Sequence, residues 1–324
     1  MMDFFILGSG IAGSTIANLL AKKYDLEVFD KARGLGGRAS NKRYKKNLSF
    51  DHGAQYISPK SKEFLNYIKK LHKKKVLKKW DGNHLDFLFN KKDQSSKFVG
   101  TRANNDISKY NLKNIKQSFI SEVIKIERNK KIWEITLKNE KKYQSKGLIL
   151  SCPYPQLKNI AKKYLDKKLT NLKVKMQPNI TVMIVIMNKR NIPISSVKFN
   201  DEILSWASNE NSKKRFYSNL NLWTLQASLD WSKKTINLYK SNTSITNELI
   251  SRFIKLTGFN KKDIIYKKTH GWKYSYSFYR SPFKSFWNKK NNLGICGDWF
   301  NGPKVEDAWQ SSQDLFKKIK KNPL

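Results

Sequence analysis

The stretch DFFILGSGIAGSTIANLL (residues 3–20) carries the strongest fold signal in the chain. A short apolar run, Asp3–Leu7, ends at the pattern GSGIAG, and apolar residues then recur at helical spacing. A second apolar run, Leu26–Phe29, follows and closes at Asp30. The order of strand, glycine turn, helix and strand predicts a βαβ unit in a parallel sheet.

The glycine spacing matches G-x-G-x-x-G, which is typical of a turn that binds the pyrophosphate of a dinucleotide. Gly8 makes the turn, Gly10 lets a pyrophosphate approach the backbone, and Gly13 lets the helix and the strand pack closely. Ile11 and Ala12 complete the motif directly before the predicted helix, whose free N–H groups and dipole favour phosphate. The alternative is a tight glycine turn that holds no ligand, and the motif alone does not separate NAD from FAD.

A second glycine cluster, DKARGLGGR, follows the second predicted strand. Asp30 lies about 20 residues after the first glycine, where a carboxylate commonly accepts the ribose hydroxyls. Gly36 and Gly37 bring a further stretch of backbone near the same place, and Arg38 can form charge-assisted bonds to the pyrophosphate. This second cluster favours FAD over NAD.

The run from Asp30 to Arg38, with FDHGAQY at residues 50–56, resembles the renalase-like branch of the FAD-dependent amine oxidase superfamily. The resemblance continues in order along nearly the whole chain, through FVG (98–100), LILSCPYPQ (148–156), NLWTLQASLDWS (221–232), HGWKYSYS (270–277) and CGDWFNGPKVEDAWQSS (296–312). Two positions depart from the family pattern. Ser311-Ser312 stands where Ser-Gly is common, and Gln226 stands where relatives tend to carry His.

The predicted elements are α/β at the two ends of the chain and strand-rich in the middle, which suggests a domain assembled from distant segments with a second domain inserted. The resemblance implies an α/β fold: an FAD-binding Rossmann-like domain of the glutathione-reductase/p-hydroxybenzoate-hydroxylase type, with an inserted substrate domain of mixed β-sheet plus helices. The FAD-binding domain is expected to comprise residues 1–72, 98–158 and 288–324, and the substrate domain residues 73–97 and 159–287.

The resemblance also implies non-covalent FAD and roles for particular residues. Val123 would contact the adenine through its backbone, Asp298 would bond the ribityl chain, and the helix start near Val305 and Glu306 would face the N1–C2=O edge of the flavin. The predicted cofactor-binding residues are Gly8, Gly10, Ile11, Ala12, Gly13, Asp30, Lys31, Gly36, Gly37, Arg38, Gln55, Val123, Gly297, Asp298, Val305 and Glu306.

The implied activity is that of an oxidoreductase that takes a hydride from a small substrate to flavin, with O2 as acceptor. Renalase-like proteins are associated with oxidation of dihydronicotinamide isomers of NAD(P)H, so the substrate is expected to be a small molecule, and a dinucleotide is one candidate. Hydride loss from a dihydropyridine gives an aromatic pyridinium and needs no base, which fits a sequence without a Ser/His/Asp triad, a carboxylate pair or metal-ligand spacing. The alternatives are amine oxidation, desaturation of an apolar substrate, a plain NAD dehydrogenase, or a non-catalytic FAD-binding protein that associates with anionic surfaces.

No catalytic residue is assigned, but several side chains are candidates for lining the flavin. Gln55 can donate and accept hydrogen bonds beside the ring. His52 next to Asp51 is either a base or part of a pair that orients a loop. Aromatic residues alternate on one face of the predicted strand 269–276: His270, Trp272, Tyr274 and Tyr276. This face is either an aromatic cage, a platform for a flat ring, or an ordinary sheet face that packs on its neighbour.

The chain is strongly basic, with 65 Lys+Arg against 25 Asp+Glu and a formal net charge of +40. One interpretation is binding to nucleic acid or an anionic membrane. The other is compositional drift toward the residues of AT-rich codons, which we favour because the lysines are scattered and no nucleic-acid motif occurs. We therefore expect salt-sensitive, non-specific association with polyanions and no specific nucleic-acid partner.

The two cysteines and the longest apolar segment indicate in which cellular compartment the protein is expected. Cys152 and Cys296 lie in apolar runs and form no CxxC pair, which favours small core residues in a reduced compartment and no metal site. The apolar run ITVMIVIM (180–187) is too short to span a bilayer, and no signal-peptide pattern is present. A cytoplasmic location is the expectation.

Overall fold

The computed structural model describes residues 1–187 and 193–324. In chain order, the strands are β1 (Met2–Leu7), β2 (Leu26–Phe29), β3 (Asn41–Lys45), β4 (Leu48–Asp51), β5 (Leu77–Lys79), β6 (Asn83–Asp86), β7 (Lys91–Lys92), β8 (Phe98–Gly100), β9 (Lys116–Ser118), β10 (Val123–Asn129), β11 (Ile132–Leu137), β12 (Lys142–Leu150), β13 (Gln177–Ile186), β14 (Ile194–Lys198), β15 (Leu204–Asn209), β16 (Asn221–Ala227), β17 (Ile264–Tyr276), β18 (Phe286–Asn288) and β19 (Leu293–Ile295). The α-helices are α1 (Ile11–Leu20), α2 (Lys62–Lys73), α3 (Asp106–Asn111), α4 (Tyr154–Ala161), α5 (Lys167–Thr170), α6 (Leu229–Thr235), α7 (Thr243–Thr257) and α8 (Val305–Lys321). Across these described ranges, no helix has both the length and the apolar content to cross a membrane.

The first sheet is built around β1 and has the order β10-β11-β12-β1-β2-β9, with β19 also paired to β12. The strand β1 pairs in parallel with both β2 and β12, with Phe4 opposite Leu26 on one side and Gly147 on the other. The predicted βαβ unit is therefore confirmed. Its strands are mostly apolar, with Asp3 and Glu27 as exceptions, because helices cover the sheet and remove the alternation of a half-exposed strand.

Helices α1 and α8 pack on each other over the first sheet. The Ser312 hydroxyl donates to the carbonyl oxygen of Ala12 at 2.9 Å and also contacts the carbonyl oxygen of Ala308 at 3.0 Å. The serine that departs from the family pattern therefore makes a hydrogen bond between the two helices, which places the start of α8 beside the glycine turn.

The second sheet has the order β17-β13-β16-β15-β14-β6-β7. Helices α6 and α7 cover one face, and α7 ends at Gly258 in the left-handed conformation (φ +71°). The predicted strand 269–276 is longer than expected, because Ile264–Lys268 continues the pairing with β13. The sequence did not indicate this extension, because the exposed Lys267 and Lys268 interrupt the apolar alternation of the strand.

The hairpin β3–β4 connects the two sheets. Phe50 on β4 is buried against Met183, Val185 and Leu222 of the second sheet. The sequence did not predict this hairpin, because NKRYK is mostly charged and lacks an apolar alternation. The hairpin carries the chain from the glycine turns directly to the segment Asp51–Tyr56, so that both lie between the sheets.

Candidate functional site

A cavity of about 1790 Å³ lies between the glycine turns of the first sheet and the strands of the second. Pockets for drug-sized ligands usually measure roughly 300–1,000 Å³, so this cavity has room for a ligand of dinucleotide size with a second molecule beside it. Its wall includes most of the residues predicted from the sequence: Gly8, Gly10, Ile11, Ala12, Asp30, Lys31, Gly36, Gly37, Arg38, Gln55, Val123, Gly297, Asp298, Val305, His270, Trp272, Tyr274 and Tyr276.

Two predicted residues lie off this wall. Gly13 packs α1 against the turn, since a Cβ there would lie 1.9 Å from the carbonyl oxygen of Gly8. Glu306 is buried, and its carboxylate accepts from the backbone N–H groups of Lys60 (2.7 Å) and Ser61 (2.8 Å) at the start of α2. The Glu306 side chain thus stabilises a helix N-terminus, while its neighbour Val305 faces the cavity.

The fold does not require glycine at position 10. Its backbone is extended (φ −67°, ψ −174°), and an added Cβ would find its nearest protein atoms 3.9 Å away. Among the described residues no side chain caps the N-terminus of α1, and its first turn holds no acidic residue. An uncapped helix start beside a small residue at a cavity wall is the arrangement that binds a phosphate, and these residues fit a dinucleotide.

Asp30 holds the first glycine turn in place. One carboxylate oxygen accepts from the Ser9 backbone N–H (2.8 Å) and hydroxyl (2.6 Å), and the other accepts from the Ala32 N–H (2.8 Å). An ionised carboxylate has about four lone-pair sites, so a ribose hydroxyl can still bond to it. The predicted ligand residue is also a support for the turn.

Arg38 and Asp298, predicted to contact different parts of the cofactor, bind each other. The guanidinium forms a bidentate pair with the carboxylate, with N···O distances of 2.7 and 2.6 Å, and it also donates to the carbonyl oxygen of Ser275 at 2.7 Å. The pair joins the second glycine cluster to the loop before α8. It also balances the negative charge of Asp298, which would otherwise repel a diphosphate in the cavity.

Gln55 is held by protein groups on both ends of its amide. The Nε2 group donates to the carbonyl oxygens of Asp51 and of Gly53 (3.1 Å), and the Oε1 atom accepts from the Ser208 hydroxyl at 2.7 Å. The Ser208 hydroxyl also lies 3.5 Å from the Glu210 carboxylate. The amide orientation in the cavity wall is therefore fixed from the second sheet.

Behind Gln55 lies a buried ionic cluster that we define as Asp51, Glu210, Lys213 and Arg215. The Lys213 ammonium group contacts both carboxylates at 2.9 Å, and Arg215 contacts Asp51 at 2.5 Å. Sequence reasoning missed this cluster, because NENSKKRF has the composition of a surface loop and its partner Asp51 is distant in sequence. Burial raises the pKa of Glu210, whereas Arg215 and Lys213 hold the pKa of Asp51 below its usual range despite its burial.

Aromatic rings line the end of the cavity formed by β17. The ring centroids of His52 and Trp272 lie 5.1 Å apart, those of His270 and Trp272 lie 4.3 Å apart, and the Trp272 indole donates to the carbonyl oxygen of His52 at 2.8 Å. Burial and the charge of Lys42 lower the pKa of His270, and burial together with His270 lowers the pKa of His52 to about 3. Both imidazoles are neutral near pH 7 and form an uncharged surface for a flat ring.

We expect acid to destabilise the protein through His52. Its folded pKa of about 3 lies below the unfolded value of about 6.5, so unfolding takes up a proton between these values and stability falls as the pH drops below about 6.5. Between pH 7 and pH 5 this group alone should remove about 2 kcal/mol from the free energy of unfolding.

Urea denaturation at the two pH values measures the effect in the wild type and in His52→Gln. The variant should lose about 2 kcal/mol less than the wild type on acidification. The matched control is His72→Gln, at an exposed position on α2, which should retain the wild-type difference. An unchanged pH difference in His52→Gln would contradict the assignment of a buried neutral imidazole.

A smaller cavity of about 900 Å³ adjoins the main one. The two share wall residues, among them Ala54, Tyr56 and Val305, so the smaller cavity continues the main one toward the surface. Its outer wall includes Phe89 and Lys91 from the hairpin β6–β7.

The cysteines occupy different settings. Cys152 is partly buried in the wall of the main cavity. Cys296 is fully buried under α8, and burial raises the pKa of its thiol to about 12. A thiol with that pKa stays protonated and is a poor nucleophile, which fits the expected role of Cys296 as a small core residue.

Comparison with known proteins supports this fold. A family model described as an NAD(P)-binding Rossmann-like domain matches residues 6–71. The chain superimposes on a putative protoporphyrinogen oxidase from Exiguobacterium sp. 255-15 with a TM-score of 0.75 and 9% identity, covering 98% of each chain. A putrescine oxidase redesigned in its cofactor binding gives a TM-score of 0.75 with 10% identity and 99% coverage of each chain, and wild-type putrescine oxidase bound to putrescine gives 0.70 at the same identity and coverage. The chain therefore has the mixed α/β fold of FAD amine oxidase-type structures, with a Rossmann-like domain and an additional sheet.

Proposed function

We propose that the protein is an FAD-dependent oxidoreductase that oxidises dihydronicotinamide isomers of NAD(P)H with O2 as acceptor. The observation that carries the proposal is one continuous cavity with an uncapped helix N-terminus at one end and an uncharged aromatic surface at the other. FAD, when bound, accepts a hydride from a substrate carbon and later passes the electrons on.

Residues of the first sheet would hold FAD. The N–H groups at the start of α1 suit the pyrophosphate, the pairing with Arg38 prevents Asp298 from repelling it, and Asp30 retains acceptor capacity for a ribose. On this proposal Val123 lies on the adenine side, and Val305 and Gln55 lie on the side of the flavin ring, as the resemblance implies.

The residues at the aromatic end would position the substrate. His270 and Trp272 present edges and faces on which a flat dihydropyridine ring can pack. Neither histidine needs to move a proton, because loss of hydride alone completes the oxidation of a dihydropyridine. Lys42 adds positive charge beside these rings, which favours an anionic dinucleotide and disfavours a protonated amine.

We also propose that the two-domain assignment made from the sequence holds. The first sheet draws its strands from residues 2–29, 116–150 and 286–295, and the second from residues 83–92 and 177–276. This division supports an FAD-binding domain of residues 1–72, 98–158 and 288–324 with the remainder forming the substrate domain, although β18 begins at Phe286 and β5 pairs with β8 across the boundary. Residues 188–192 of that remainder lie outside the described residues.

The test is an anaerobic titration of the purified protein, supplied with FAD, with 6-dihydro-NAD and separately with putrescine, following the visible flavin absorbance. The proposal expects immediate bleaching by 6-dihydro-NAD and recovery of the absorbance when air is admitted. Bleaching by putrescine and not by 6-dihydro-NAD would indicate that the substrate is an amine and not a dihydronicotinamide. A protein that neither contains nor takes up FAD would overturn the flavoenzyme assignment.

A matched pair on β3 tests the role of positive charge. Lys42→Gln removes a charge from the cavity wall, and Lys45→Gln removes one from the same strand outside that wall. We expect the half-saturating concentration of 6-dihydro-NAD to rise about three- to five-fold in Lys42→Gln and to stay unchanged in Lys45→Gln, since an exposed charge contributes up to about 1 kcal/mol.

A further inference from the structure

The turn between β6 and β7 exposes three consecutive apolar side chains. Phe87, Leu88 and Phe89 are 50%, 44% and 62% exposed. At the other described positions, large apolar residues that are exposed to this degree never adjoin one another in the sequence. Single exposed apolar side chains are ordinary, whereas a consecutive run at a hairpin tip indicates a surface that contacts something apolar.

The protein holds this turn in place. The Phe87 N–H donates to the carbonyl oxygen of Lys198 at 2.9 Å, and the Leu88 N–H donates to the Asp86 carboxylate at 3.1 Å. The Phe87 ring also packs edge-on against Phe199, with ring centroids 5.9 Å apart. These contacts leave the outer part of the turn pointing away from the second sheet, so its exposure is a property of the folded hairpin.

Cations surround the exposed rings. The ammonium groups of Lys91 and Lys198 lie 5.1 and 5.0 Å from the ring centroid of Phe89, and Lys92 follows on β7. The nearby carboxylates of Asp86 and Asp93 each already have a lysine partner, Lys198 at 3.3 Å and Lys97 at 2.7 Å. The turn therefore combines apolar side chains at its tip with positive charge at its base.

We propose that the turn Phe87–Phe89 docks the protein on an anionic lipid bilayer. Aromatic and leucine side chains above a lysine collar match the boundary between acyl chains and acidic headgroups, because the tip enters the apolar layer while the ammonium groups stay at the charged surface. A nucleic acid would use the lysines and leave the leucine without a partner. Because Phe89, Lys91 and Lys92 also line the smaller cavity, docking turns the opening of that cavity toward the headgroups. This proposal does not depend on the proposed activity.

The experiment is co-sedimentation of the full chain with phosphatidylcholine vesicles, with and without about one third phosphatidylserine, at about 0.15 M salt. We expect binding to the vesicles that contain phosphatidylserine, and a roughly ten-fold or greater fall in partition coefficient for Phe87→Ser/Leu88→Ser/Phe89→Ser. The double variant Leu88→Ser/Phe89→Ser, which keeps the packed Phe87, should lose most of that affinity. The control Tyr217→Ser/Leu238→Ser removes two exposed apolar residues elsewhere and should bind like the wild type.

Two results would overturn the proposal. Equal sedimentation of the wild type and the triple variant would show that binding comes from diffuse positive charge alone. A concentration-dependent dimer in light scattering that the triple variant abolishes, with no vesicle binding by the wild type, would assign the turn to a second copy of the chain instead.

Discussion

Lys213→Met should lower the free energy of unfolding by about 3–5 kcal/mol, because it leaves two buried carboxylates with only Arg215 to compensate them. That loss is a large part of the total free energy of unfolding of a typical domain, which is about 5–15 kcal/mol. Urea denaturation followed by tryptophan fluorescence measures it. The matched control is Lys214→Met, the exposed neighbour in the sequence, for which a change within about 0.5 kcal/mol is expected.

A second substitution separates charge balance from packing. Asp51→Asn/Lys213→Met removes one charge of each sign from the ionic cluster and should recover at least half of the stability that Lys213→Met loses. If the double variant is as unstable as the losses of Lys213→Met and Asp51→Asn added together, the stability depends on packing of the Lys213 side chain over Trp80, whose ring centroid lies 5.2 Å away.

Gly10→Ala and Gly13→Ala should have opposite effects, although they lie three residues apart in one motif. Alanine at position 13 lies inside α1, where it normally stabilises a helix by about 1 kcal/mol relative to glycine. Here its Cβ would lie 1.9 Å from the carbonyl oxygen of Gly8, so we expect a loss of about 1–3 kcal/mol or more. Gly10→Ala should fold with unchanged or slightly higher stability, because its backbone is extended and its Cβ meets only ordinary contacts.

On the proposed function, the two substitutions have the reverse order of effects on binding of FAD. An alanine methyl group at position 10 lies on the cavity wall, so we expect the dissociation constant for FAD to rise roughly ten- to hundred-fold, as when one or two charge-assisted hydrogen bonds lengthen. Flavin fluorescence titration of protein freed of cofactor measures the affinity, and urea denaturation of the same samples measures the stability. Normal FAD affinity in Gly10→Ala would show that the turn does not bind the diphosphate.

The local signals in the sequence predicted the βαβ unit of the first sheet well. The glycine turn, α1 and the apolar strands on either side depend on residues that are neighbours in the chain, so spacing alone identifies them. The hairpins β3–β4 and β6–β7 were not predicted, because their strands are mostly polar or charged. Pairing in the folded chain, not local pattern, makes them strands.

The residues of the candidate site likewise fall into those that the sequence predicted and those that only the folded chain shows. The motif and the resemblance led to residues that line one cavity, and to Gly13, whose packing role the motif itself implies. They gave no sign that Lys213 and Glu210 are buried, since a lysine in a surface loop and a lysine in an ionic cluster look alike until the fold brings Asp51 to them. Glu306 was predicted beside the flavin ring, but its carboxylate is bound by the start of α2, a partner that only the folded chain supplies.

The central position of β1 has a consequence for how the protein is made. This strand is translated before β12 and α8, yet β12 is one of its two neighbours and its covering helix packs against α8. Contacts between residues so far apart in sequence form late and slowly. The glycine turn therefore waits, on the nascent chain, for Asp298 and α8 to be synthesised before its cavity has all its walls. On the proposed function, FAD would therefore bind after translation, because a ribosome stalled before residue 298 would carry the glycine turn without the residues that complete the cavity wall.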